Sequence, residues 1–279
     1  MTTIPLHNET TASAPRRARL ARYALWQARD YALERGLPTV VLAALFAFPG
    51  AMAVRGMIRQ FAEGHAAVRP SAVLRYGSLA AAQQAQVHDL GVALIHQVVG
   101  GVVFLAALLA IQGLASNDRK NGYFRFLFAK PVRPERYYGQ AFVVHWASFG
   151  VALVLMLLLF GWVAVPVISG RLVAAMMLVY LCYAGIAFLL TALSRWDWLV
   201  LVGVAIASTA LWTKYGESAS PLAKLLWLLP PLTKVEAVYA AATSTVAMPW
   251  DTVAWLAGYG LACFVAGLFV LHRRRLAIP

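Results

Sequence analysis

Ser116 to Gln140 read SNDRKNGYFRFLFAKPVRPERYYGQ, and this stretch decides the fold. It carries six cations (Arg119, Lys120, Arg125, Lys130, Arg133 and Arg136) against two acids, Asp118 and Glu135. The segments on either side are long, apolar and uncharged, so they leave water and make the stretch a short loop between two membrane crossings. Ser116 or Asn117 can cap a short helix, with Asp118 in its favourable first turn. Pro131 ends that helix, and Pro134 suits the first position of the next. Tyr123, Phe124, Phe126 and Phe128 are unusual on a solvated loop and have the character of a docking surface.

Composition agrees with a membrane protein. Of 279 residues, 61% are hydrophobic and only 13% charged, against about 25% charged in soluble domains. The net charge of +13 sits mostly at the ends of apolar segments. That points to orientation and anionic lipid headgroups, with no call for nucleic acid. Cys182 and Cys263 lie inside apolar runs and read as packing residues, not as a disulfide framework or a metal site.

The expected fold is all-α and polytopic. Residues 1–15 form a polar tail, with no cleavable signal peptide, and residues 16–279 a single transmembrane domain. RRARLARYALWQARDYALER (16–35) reads as an interfacial helix with Arg22 and Arg29 off its apolar side. Span one is Gly36 to Val54, 19 uncharged positions and so about 28 Å long. A polar loop with a helical piece near Ser78 to Val87 follows. Span two falls within Leu90 to Asn117, span three within Tyr137 to Gly170, span four is Leu172 to Ser194, and span five is Trp198 to Thr213. Residues 214–251 hold two apolar pieces too short to cross. They are expected as short outer helices, folded back as a re-entrant element before the last span, Thr252 to Leu271. Gly203 and Ala207, at four-residue spacing, would permit close helix approach.

Six such spans put both termini on one side. Sixteen Lys or Arg then fall on the side of the termini and of loop 116–140, and eight on the other. The positive-inside bias makes the termini and the loop cytoplasmic. Trp196 and Trp198 would belong to one interfacial belt, Trp162, Trp212 and Trp250 to the other.

Catalytic chemistry is missing from the pattern. A P-loop needs Gly-Lys-Ser/Thr, and none of the five lysines follows a glycine. No catalytic residue, metal ligand set or cofactor site is expected, so any ATP would be bound by a partner subunit. Gly216-Glu217-Ser218-Ala219 matches an intramembrane protease motif only faintly. His96 and His145 are expected near opposite membrane faces, which argues against a shared metal or proton relay. His65 and His88 belong to the outer loop.

An acid, a glycine, apolar residues, then Pro, a basic residue and a further Gly is a pattern that resembles the loop of type-2 ATP-binding-cassette (ABC) transporter permeases. Here it stands as Asp118, Gly122, Phe126-Leu127, Pro131-Val132-Arg133 and Gly139. Two departures are Arg119-Lys120-Asn121 where the family often has acids, and Gln140 where it often has Lys. The resemblance implies a permease subunit in the cytoplasmic (inner) membrane, working as an exporter, paired with itself or a second permease, and driven by cytoplasmic ABC ATPase subunits. It assigns ATPase docking to Asp118, Gly122, Tyr123, Phe124, Phe126, Leu127, Pro131 and Arg133, and places Arg22 and Arg29 on a helix bordering the ATPase. The alternative reading is an ATP-independent secondary transporter or channel, against which stands the near absence of charge within the spans.

Overall fold

The computed structural model describes residues 16–63, 68, 70–111, 114, 133–163, 168–193, 197–216, 226, 234–244 and 246–273. All regular structure among them is helical. Helix α1 (Arg16–Asp30) leads through a π-helical segment (Tyr31–Gly36) into α2 (Leu37–Ala62). The flanking residues Asp30 and Leu37 keep right-handed helical dihedrals (φ −60°, ψ −47° and φ −60°, ψ −50°), so the chain never breaks there. The expected interfacial helix and first span are therefore one continuous rod, with no boundary at Gly36. Pro38 is tolerated because its missing N–H falls where the π turn already interrupts the ordinary helical ladder.

A short helix α3 (Pro70–Tyr76) follows. Gly77 has φ 77°, a left-handed backbone that glycine adopts without strain. Ser78 then caps α4 (Leu79–Ile111), its Oγ accepting from the Ala81 N–H at 3.2 Å. The helical piece expected near 78–87 and the second span are one helix, because His88 and Asp89 are exposed polar residues and not breakers.

The remaining elements are α5 (Pro134–Val163), α6 (Gly170–Leu193), α7 (Asp197–Tyr215), α8 (Val235–Thr243) and α9 (Trp250–Arg273). Ser169 caps α6 through Leu172 N–H at 3.1 Å. Of the outer element expected over 214–251, α8 is one short helix, packed on α6 and α4. Leu226, from its other apolar piece, is buried, and the rest of that piece lies outside the described residues.

Among the described residues, three helices are long and apolar enough to cross a membrane: α5 from Glu135, α6 and α9. This is the architecture of a membrane protein. Its surface confirms the point, because α5 hides one seam and shows lipid-like residues elsewhere. Tyr138, Phe142, His145, Phe149, Leu153, Leu157 and Phe160 recur every three or four positions and are buried. Val143, Val151, Leu155, Leu158 and Leu159 point outward and are exposed.

Helix α6 is the centre. In its membrane window 61% of residues are buried, against 28% for α5 and 17% for α9, and it packs on α4, α5, α7, α8 and α9. Its contacts set directions. Tyr138 meets Phe188, while Phe149 stacks on Tyr180, so α5 and α6 are antiparallel. Cys182 lies against Gly260 and Leu189 against Gly267, so α6 and α9 are parallel.

Glycine makes the α6–α9 contact possible. A Cβ on Gly185 would overlap the Gly260 carbonyl, and one on Gly260 would sit 2.7 Å from Cys182 Cα. One on Gly267 would come within 2.7 Å of the Phe188 ring. The first two are backbone-to-backbone approaches of the small-residue kind used between membrane helices. Gly203, by contrast, is exposed with nothing within 4 Å of a Cβ, and Ala207 is exposed too. Among the described residues the close approaches lie at Gly185, Gly260 and Gly267. Cys182 and Cys263 are free thiols, and Cys182 fills part of this seam.

Candidate functional site: the loop-side end of α5

The chain leaves the 116–132 segment at Arg133. Its carbonyl accepts from the N–H groups of Arg136 (3.0 Å) and Tyr137 (3.2 Å), which closes the first turn of α5. Glu135 stands in that turn, where the helix dipole favours an acid. His272 stands in the last turn of α9, where the dipole favours a cation. Their side chains meet, His272 Nδ1 to Glu135 Oε1 at 2.5 Å. The start of α5 is thereby tied to the end of α9. One residue further, the Arg273 guanidinium lies 4.4 Å from the Phe269 ring centroid.

Beneath this pair, aromatic rings join three helices. Phe142 of α5 stacks on Phe264 of α9 with centroids 4.2 Å apart. Phe188 of α6 lies 5.0 Å from Phe264 and 6.2 Å from both Phe142 and Tyr138. The cavity that admits Phe188 exists because Gly267 has no side chain. Deeper along α5, the Trp146 indole N–H donates to the Met177 carbonyl at 3.1 Å. Phe149 then stacks on Tyr180 at 4.0 Å with only 9° between planes.

A third contact ties α5 to the N-terminal rod. The Tyr31 ring, in the π segment, lies 5.0 Å from the His145 ring, and both residues are buried. Gln27 is buried one turn before, on the same side of α1. The widened π turn places a large side chain against α5 while α2 continues against α4.

The mechanical result is a helix α5 gripped at three levels by three other elements, beginning at its first turn. Below the first turn, the ring contacts of Phe142 with Phe264 and Phe188 couple α5 to α9 and α6 by close packing, which transmits displacement.

The predicted docking residues distribute as follows. Asp118, Gly122, Tyr123, Phe124, Phe126, Leu127 and Pro131 lie outside the described residues. Arg133 is exposed at the foot of α5, and Arg22 and Arg29 are exposed on α1. Helix α1 packs on α5, so the structure brings the rod that carries Arg22 and Arg29 to the same helix that Arg133 begins. His145 is buried in that packing. His88 is exposed on α4, and the His96 side chain lies outside the description.

Sequence reasoning missed the Glu135–His272 pair and the Tyr31–His145 contact. The first had a signal: an acid opening one helix and a His closing another are complementary ends. No family model, curated protein or solved structure matches the chain.

Proposed function

We propose that the chain is the transmembrane subunit of an ABC-type exporter, coupled to a separate cytoplasmic ATPase through the 116–140 loop. In this reading it has six spans, the three apolar helices α5, α6 and α9 together with α2, α4 and α7. Both termini are cytoplasmic, and a second permease completes the translocation path. ATP is bound by the partner. Phe124, Phe126 and Leu127 supply apolar docking, Gly122 a close backbone approach, and the surrounding Arg and Lys charge matching.

The observation that carries the proposal is the loop pattern at Asp118, Gly122, Pro131-Val132-Arg133 and Gly139, which leads directly into a helix clamped from its first turn. A handle is useful only if what it pulls is stiff. The energy of ATP-driven closure would enter at the loop, tilt α5, and pass to α6 and α9 through Phe142, Phe188 and Phe264.

The test is co-purification of the tagged chain with candidate P-loop ATPases. A complex is expected, with ATP hydrolysis raised by the chain. Gly122→Trp and Phe126→Asp should each abolish both. Unchanged binding in both variants would refute the docking assignment.

A further inference from the structure

At the opposite end of the α6–α9 pair lies a groove with no part in the coupling path. Its volume is about 730 Å³, within the roughly 300–1,000 Å³ of small-molecule sites. The first two turns of α6 form one wall (Arg171, Ala174, Leu178), Val238 of α8 a second, and Met248 with Trp250 a third. Among the described residues the lining is apolar apart from Arg171, which is exposed at the rim and makes no ion pair with any of them. Asp251, the nearest acid in sequence to Trp250, does not line it.

Position narrows the occupant. Helices α6 and α9 are two of the three able to cross a membrane, and the groove runs along both from their first residues. Arg171 to Leu178 spans seven positions, so the groove penetrates about 10 Å from the rim toward the bilayer centre. Trp250 is 73% exposed, and Trp162, at the far end of the antiparallel α5, is 83% exposed. Exposed indoles at one level mark the headgroup boundary. A slot that is apolar at membrane depth and cationic at headgroup level complements a molecule with an acyl chain and an anionic head.

We propose that this groove is a binding site for an anionic phospholipid of the leaflet opposite the 116–140 loop, with one acyl chain along Ala174 and Leu178 and the phosphate at Arg171. The site is independent of the ATPase reading and stands or falls separately from it.

The experiment uses the full chain in phosphatidylcholine vesicles doped with phosphatidylglycerol carrying a photoreactive diazirine in its acyl chain. Peptide mapping should find adducts at residues 171–178 and 246–253. Arg171→Gln should lower that labelling at least fivefold, Arg171→Lys should largely restore it, and labelling on the exposed face of α5 should stay unchanged. Ala174→Trp, which fills the slot, should abolish groove labelling in protein that still elutes as a single species. Equal groove labelling by the same diazirine on phosphatidylcholine, undiminished labelling in Arg171→Gln, or absence of adducts in the groove would each overturn the proposal.

Discussion

Glu135 and His272 are 137 positions apart in sequence and in contact in the fold, the first opening α5 and the second closing α9. Glu135 sits where a helix dipole favours an acid and His272 where it favours a cation, so the pair joins two compatible ends. Both side chains are partly solvated, at 31% and 51% exposure. Exposed pairs contribute about 0–1 kcal/mol, so the contact sets geometry more than stability.

That geometry can be trapped. In a Cys182→Ala, Cys263→Ala background, Glu135→Cys combined with His272→Cys should cross-link with a short bismaleimide. Neither single substitution should do so. A direct disulfide is not expected, because the two original side chains reach farther than a disulfide bridges. The check is protease cleavage between the sites followed by denaturing electrophoresis: fragments that separate would show that α5 and α9 do not meet here.

The glycine seam predicts sharp positional sensitivity. Gly185→Ala and Gly260→Ala place a methyl against backbone that cannot rotate away, and overpacking of this kind costs about 1–3 kcal/mol. Gly258→Ala, two residues from Gly260 and with nothing within 4 Å, should be neutral. Thermal unfolding in detergent, followed by loss of the monodisperse peak, should separate the two classes by several degrees. Equal behaviour at Gly258 and Gly260 would contradict the close crossing.

Ring packing under the loop end should matter even though the solvent is lipid. Lipid tails are as apolar as the interior, so truncation loses packing and not hydrophobic transfer. Phe142→Ala empties on the order of 100 Å³, which at about 24 cal/mol per Å³ gives roughly 2 kcal/mol. Phe142→Leu should cost less than half of that. Should the chain couple to an ATPase as proposed, Phe142→Ala should weaken its stimulation of ATP hydrolysis while leaving the docking affinity intact. Loss of docking itself would place Phe142 in the interface and not behind it.

The π segment supports a register experiment. At 100° per residue, α pitch alone would turn the buried side of α1 (Gln27, Tyr31) roughly 150° away from the buried seam of α2 that includes Val54 and Phe61. A π turn absorbs about one extra residue, or roughly 100°, and brings the two sides to within about 50° of each other. Inserting an alanine after Leu33, which is exposed, adds a residue beyond the one the π turn absorbs and should swing Tyr31 off His145, whereas deleting Leu33 should relax the segment to α with the two sides still in phase. Substituting Leu33→Ala should have little effect. Hydrogen exchange along 16–36 distinguishes them: the insertion should lose protection in α1 while α6 keeps its own, and equal protection in the insertion and deletion variants would remove the phasing role.

Much of the scaffold was legible in the chain. Uncharged runs located α6 and α9 to within two residues at each end, since apolar length is what a membrane demands and Ser169 and Arg273 bound the runs. Other boundaries were not legible. Arg55 was expected to stop the first span, yet α2 continues to Ala62 because an exposed Arg does not break a helix. The π segment escaped detection because periodicity analysis assumes one fixed rotation per residue. Gly203 and Ala207 attracted notice by spacing alone, whereas the true crossing uses Gly185 on one helix and Gly260 and Gly267 on another, a pairing that no spacing within a single helix reveals. Of the candidate site, Arg133, Arg22 and Arg29 are exposed, but the contacts that hold α5 in place come from residues distant in sequence.

The bare backbone contact between α6 and α9 at Gly185 and Gly260 also limits how the protein can change shape. Where two backbones touch, there are no rotamers to act as a bearing, and sliding would drive carbonyl against Cα. These two helices must travel together as a keel. Any opening of the molecule has to be hinged elsewhere, along joints upholstered with flexible side chains, such as the one between α2 and α4.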